Sequence, residues 1–204
     1  MIDKLFYFCQ YIDKMTIWDS MMNQKRELLL NTALDLFYYK GINSIGINEI
    51  IKVSGVAKKT LYSHFNGKND LIMAVLNQRH QVFIKWLEDK LSRPGSDHEL
   101  IDCLFESLQS WFDGNEPALG SFGGCFFINT SAEFSNQESD ISHYCRYHKE
   151  QVRQLIQSKL NFKSPDLLNA ICLLKEGAIT TAYLTGESIE AIQSSKNVLH
   201  KIVC

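Results

Sequence analysis

Between Ile47 and Phe65, two short stretches with helical spacing of apolar residues flank a single glycine, Gly55. Two such helices must cross at a wide angle, with a tight turn between them. Gly55 supplies a turn conformation that other residues enter only at a cost. Ile50, Val56, Leu61 and Phe65 are spaced to fill the angle between the helices. This arrangement needs a third helix to pack against, which restricts the neighbouring sequence to helix as well.

The flanking sequence meets that demand. A helix is predicted over Gln24–Lys40, with Asn23 as N-cap, Gly41 as the C′ residue, and an apolar stripe of Leu29, Ala33, Leu36 and Phe37. Short helices follow over Ile47–Val53 and Lys58–Phe65, then a long one over Lys68–Leu91 that stops at Arg93-Pro94-Gly95. Ser96-x-x-Glu99 reads as a capping box opening a helix to Asp113, and Ser135-x-x-Glu138 as a second opening a helix to Leu160. Between them lies a predicted helix over Phe122–Phe134. Ser164-Pro165-Asp166 places an N-cap, an N1 proline and a first-turn acid in order, starting a helix that ends at Gly186. A last helix is predicted over Ser188–Val203. The fold class is therefore all-α. Only three prolines and 45% hydrophobic residues fit that reading and allow a packed core without staples.

Residues 1–20 stand apart. They are rich in aromatics and carry a charge of −1, which argues against a DNA-gripping arm. An extra amphipathic helix covering an apolar groove and an artefact of start-site choice are both open, since Met21 and Met22 follow directly.

Charge is unevenly distributed. From Met21 to His80 there are eight basic residues against four acidic ones, whereas the whole chain is −2. A basic segment on an acidic body suits a nucleic-acid reader with a separate effector domain. On the second short helix, the face left over carries Lys58, Lys59, Thr60, Tyr62, Ser63 and His64. These are cations and hydroxyls of a length suited to phosphates and base edges in a major groove.

The stretch Gly55-Val56-Ala57-Lys58-Lys59-Thr60-Leu61-Tyr62-Ser63-His64-Phe65, with Lys68 and Leu71 after it, resembles the DNA-binding domain of the TetR family. The likeness extends back through Ala33, Phe37 and Gly41. It extends forward through Gly124-Cys125-Phe126-Phe127-Ile128-Asn129, Gly177-Ala178 and Leu184-Thr185-Gly186-Glu187. The resemblance implies an N-terminal helix-turn-helix domain over 21–67, after the extension of 1–20, and a ligand-binding and dimerisation domain over 68–204. It implies phosphate contacts from Tyr62 and Lys68, and a recognition helix bearing Lys58, Lys59, Thr60, Ser63 and His64. Two departures from the family pattern, Ile45 where Thr is common and Ala57 where Ser is common, remove N-caps worth about 1 kcal/mol each.

The same resemblance implies a homodimer on a palindromic double-stranded DNA operator, repressing until a small-molecule effector binds. Leu167, Ile171, Leu174, Ala178, Thr181, Ile192, Leu199 and Val203 are the expected dimer contacts. Trp86, Phe105, Trp111, Phe126, Asn129, Glu133, Tyr144 and His148 are the expected ligand-pocket residues, with Phe112, Phe127 and Tyr147 beside them.

Other function classes find little support. Six cysteines make no C-x-x-C pair and no zinc-finger set, and indicate a reducing, cytoplasmic setting. No metal or cofactor is expected, and no apolar run approaches the ~20 residues of a membrane span. Enzyme signatures such as G-x-S-x-G, a P-loop or H-E-x-x-H are missing, so no catalytic residue is assigned. One rival remains specific. Cys125 follows Gly123-Gly124 near a helix start, the setting of a thiol switch, with Cys145 as a candidate partner.

Overall fold

Low proline content and recurrent helical stripes produce helices throughout. The computed structural model describes residues 2–162 and 164–203, with side chains from Met21 onward. Among the described residues there are nine helices and no strand: α1 Ile2–Lys40, α2 Ile47–Ser54, α3 Lys58–His64, α4 Lys68–Lys90, α5 Asp97–Phe112, α6 Phe126–Glu133, α7 Asp140–Lys159, α8 Pro165–Thr185 and α9 Ser188–His200. The proposed role of residues 1–20 lies outside the residues whose side chains are described.

The chain packs into two compact units, Met1–Val75 and Leu76–Cys204. Helix α4 is continuous across that boundary, so its first turns pack with the N-terminal unit. In that unit α1, α2 and α3 contact one another pairwise. Its core is aliphatic with two aromatic plugs: Leu29, Ala33, Ile42, Ile50, Leu61 and Leu71 are all at 0–1% exposure, and Phe37 and Phe65 at 2%. In the second unit α8 packs on α9, α5 and α7, and α5 on α9. One cluster of buried residues from α4, α5, α7, α8 and α9 fills the space between them.

Several sequence expectations are corrected. Asn23 lies inside α1 rather than capping it, because the helix is already under way. The N-cap of α2 is Gly46, not Ile45; Ile45 is buried and belongs to the core. Ala57 does occupy the N-cap of α3, and neither α2 nor α3 has a side-chain cap. Helix α7 starts at Asp140, capped by Ser139 Oγ accepting from Ser142 N. The expected start near Ser135 fails because Asn136 Oδ1 accepts from Glu138 N and folds that stretch into a turn. Helix α6 starts at Phe126, four residues later than expected. Gly124 accounts for the delay: its φ of +82° is left-handed, and a Cβ there would meet the Tyr183 ring at 3.1 Å.

The stripe expected at a dimer interface is mostly internal. Leu167, Ile171, Ala178, Ile192 and Leu199 are buried within the single chain. Helix α8 is long and apolar enough to cross a membrane by length and composition. Its apolar face is instead part of this core, and it carries Lys175 and Glu176 at its middle.

Candidate nucleic-acid interface and effector cavity

Helix α2 ends when Gly55 adopts φ 67° and ψ 8°, with its N–H donating to Ile51 O at 3.0 Å. Ser54 Oγ accepts from Val56 N at 3.2 Å and fixes the next bond of the turn. Ile50, Val56, Leu61 and Phe65 are buried, as their spacing requires. With those four inside, the opposite side of α3 faces solvent. Lys58, Lys59, Tyr62 and Ser63 are exposed there, and Thr60 is half-buried. Ser63 Oγ donates to Thr60 O at 2.7 Å, which leaves the hydroxyl oxygen able to accept.

The other two predicted residues are placed differently. His64 is half-buried and its Nε2 is covered. Burial, then the nearby Arg26 guanidinium, pushes its imidazole below the ordinary histidine range. Arg26 itself lies over the Phe65 ring, 5.5 Å from its centroid. Lys68 Nζ donates to Ile42 O at 2.7 Å, tying the start of α4 to the chain beyond α1. That bond uses one of the three ammonium donors and holds the charge beside the first turn of α4.

The eight residues expected to line a ligand pocket are divided between buried and half-buried positions. Trp86, Phe105, Trp111 and Phe126 are buried. Trp86 Nε1 donates to Glu116 Oε2 at 2.8 Å, and that carboxylate also accepts from Ser110 Oγ at 2.6 Å and Lys90 Nζ at 2.7 Å. Asn129 Nδ2 donates to Gly123 O at 3.1 Å, closing the turn before α6. Glu133, also half-buried, lies at the last position of α6. Tyr144 OH donates to Asn77 Oδ1 at 2.9 Å. His148 is buried with Nδ1 3.0 Å from His80 Nδ1, and its ring stacks on Phe127 at a centroid distance of 3.5 Å. Burial foremost, then the Lys149 ammonium, pushes its imidazole down to about 2.

A cavity of about 420 Å³ lies elsewhere, between α6, α7 and α8. Its size suits a small molecule. Phe127, Ile128, Val152 and Leu173 form its apolar wall, with Cys145 and Cys172 between them. Lys149, Lys175 and Glu176 form its polar end, where Lys149 Nζ lies 2.7 Å from Glu176 Oε2 and Lys175 pairs with Glu176 Oε1. Burial pushes the Glu176 carboxyl up, but the Lys175 and Lys149 ammoniums outweigh it and hold it below the ordinary range. None of the eight expected residues lines this cavity. A signal for it was present: in α8, Lys175-Glu176 is the only charged pair in an otherwise apolar helix after the first turn.

Two short helices, α2 and α3, joined by a left-handed glycine turn and packed against α1, form a helix-turn-helix. Comparison with known proteins agrees. The profile of bacterial regulatory proteins of the tetR family matches residues 29–75. The HTH-type transcriptional regulator YxaF of Bacillus subtilis is 30% identical over 96 residues, 47% of this chain and 50% of that protein. The chain thus spans about half the length of the curated relatives it matches first. SCO4454, a TetR-family transcriptional regulator from Streptomyces coelicolor, has a similar structure, with TM-score 0.76 and 24% identity over 89% of this chain and 95% of that one. The reduced form of Escherichia coli NemR gives TM-score 0.72 and 22% identity over 88% and 97%. Residues 29–75 thus match the TetR-family DNA-binding profile, and the fold as a whole is similar to that of TetR-family transcriptional regulators.

Proposed function

We propose that the protein is a DNA-binding transcriptional repressor that acts as a homodimer on a palindromic operator and is released by a small molecule. The observation carrying this reading is the exposed face of α3, where Lys58, Lys59, Tyr62 and Ser63 share one side of a helix braced from behind by Leu61 and Phe65. Lys58 and Lys59 supply charge to phosphates or guanine edges. Tyr62, Lys68 and the Thr60 and Ser63 hydroxyls add positioning contacts, and His64 contacts the edge of the site. The repressor sense follows from analogy with NemR, itself an HTH-type transcriptional repressor.

Dimerisation is supported by apolar side chains left outside the core on the last two helices: Leu184 is 74% exposed, Ile189 75% and Val198 47%. A twofold pair would set two recognition helices one duplex turn apart, ~34–36 Å, and so demand a palindrome. Release by a ligand requires a coupling of only about 1–3 kcal/mol, and α4, one helix beginning in the DNA-reading unit and ending in the other, is the route for it. The reading is tested by selecting bound duplexes from a random pool. A twofold-symmetric site, bound by a dimer with log affinity falling steeply as log salt rises, supports it. A chain that stays monomeric, or ignores every duplex at low salt, overturns it.

A second reading, a thiol switch at Cys125, is favoured by one contact: Lys149 Nζ donates to Cys125 Sγ at 3.1 Å. Burial pushes the Cys145 thiol up, which leaves Cys125 as the sulfur to test. Loss of duplex binding under hydrogen peroxide, reversed by dithiothreitol and absent in Cys125→Ser, would establish it. Insensitivity of the parent chain to peroxide removes it.

A further inference from the structure

The cavity between α6, α7 and α8 is short of negative charge at its polar end. The Lys175 side chain is only 5% exposed, and among the described residues its ammonium donates to one acceptor, Glu176 Oε1. The other oxygen of that carboxylate accepts from Lys149 at 2.7 Å. One carboxylate therefore serves two ammonium groups. The further partner of Lys149 is the Cys125 sulfur at 3.1 Å. Enclosing an ammonium without a full counter-charge is costly, and an anion entering the cavity relieves that cost.

The rest of the lining has the same bias. Arg146 and Arg153 join the two lysines, while Glu150 is the one carboxylate besides Glu176. Both arginines are directed to uncharged acceptors, Arg146 Nη2 to Gln137 O at 2.9 Å and Arg153 Nη2 to Asn169 Oδ1 at 2.7 Å. Four cations thus meet two carboxylates around a space whose remaining wall is Phe127, Ile128, Val152 and Leu173. The excess charge extends into the core: after burial, Lys149 is the largest influence holding His148 neutral, and Lys175 adds to it. An apolar wall disfavours a polyanion, and the lysines disfavour an amine. What fits both is one negative charge on a hydrocarbon body.

We propose that this cavity is the effector site and that the effector is a small apolar carboxylate, its anionic group completing the Lys149–Glu176–Lys175 cluster and its hydrocarbon lying against Phe127, Ile128, Val152 and Leu173. The proposal rests on the reading above that a small molecule controls DNA binding, but the site is testable without DNA. The full chain is titrated calorimetrically with octanoate and 4-phenylbutyrate, and with octanamide, 4-phenylbutyramide and octylamine. The acids should bind one per chain, at least tenfold more tightly than their amides, and octylamine should not bind. Lys175→Met should weaken the acids at least tenfold and leave the amides unchanged. Leu173 is 74% exposed, so Leu173→Glu keeps the fold while adding a carboxylate to the wall, and it should weaken the acids comparably. Failure of both acids to bind, acids no tighter than amides, or full acid affinity in Leu173→Glu overturns the proposal. Adding the acids to a selected duplex complex separates the two readings. Acids that bind the chain yet leave duplex affinity unchanged support the site and sink ligand release. Acids that do not bind a chain with intact duplex affinity sink the site alone.

Discussion

The two units handle charge in opposite ways. In the N-terminal unit the buried side chains are almost all hydrocarbon, and Lys58 and Lys59 stand in solvent. In the second unit, charged and polar groups lie inside: Arg79, His80, Glu116, His148 and Lys175 are all under 9% exposed. Arg79 Nη1 donates to Leu119 O at 2.7 Å, and Glu116 gathers Trp86, Ser110 and Lys90. The lesson is one of division of labour. The N-terminal unit keeps its exposed cations apart from its core, whereas the second unit brings charged and polar groups inside, where they must be hydrogen-bonded. Substitutions on the exposed face of α3 should therefore separate binding from stability, and those at the buried polar groups of the second unit should not.

The largest effect tests the core of the second unit. Phe105 is fully buried, so Phe105→Ala should cost about 3–5 kcal/mol in urea unfolding. A loss under 1 kcal/mol would mean that the core cluster around α5 is looser than its burial indicates. Next comes the cationic face. Lys58→Ala with Lys59→Ala should weaken duplex binding by about 1–3 kcal/mol per residue and flatten the salt slope by about one per lost phosphate contact, with stability unchanged within ~0.5 kcal/mol. A parallel fall in stability would break the contrast between the units.

The turn offers a smaller, purely conformational test. Gly55 has a left-handed φ and nothing within 4 Å of an added Cβ, so Gly55→Ala meets backbone strain without a clash. Its cost should be about 1–2 kcal/mol in thermal or urea unfolding. An unchanged midpoint would show that the turn relaxes freely.

The gentlest test is pH. His148 is held neutral in the folded chain down to about pH 2, against an ordinary value of 6.5. Between those values the unfolded chain takes up a proton that the folded chain refuses. Stability is therefore full above pH 6.5 and declines below it, by up to about 1.4 kcal/mol per pH unit for this one group. His80, lowered by burial, acts in the same direction, so His148→Phe should reduce the slope between pH 6.5 and 5 without abolishing it. A slope unchanged in that variant would remove His148 from the account.

How far residue order reached differs between the same two regions. Gly55, the plug residues and the cations of α3 were all legible, because each is specified by local spacing on a short helix. Even there the half-burial of His64 and the nearness of the Arg26 guanidinium from α1 were not legible in the spacing of α3. In the second unit the helices were legible, and the lining of the cavity between α6, α7 and α8 was not. The aromatics of α5 look the same on paper whether they line a pocket or fill a core, and Phe105 and Trp111 fill it.

Residue order alone determined an all-helical chain, the glycine turn between α2 and α3, and which side of α3 carries charge. These are matters of helical period and of backbone conformations that glycine enters at least cost. Only the tertiary structure decided that Leu167, Ile171 and Leu199 face inward, that Ser139 rather than Ser135 opens α7, and that Lys149, Lys175 and Glu176 meet at one cavity. Contacts between α7 and α8 join residues about 25 positions apart, and the amphipathic pattern of either helix says which side is buried, not which neighbour buries it.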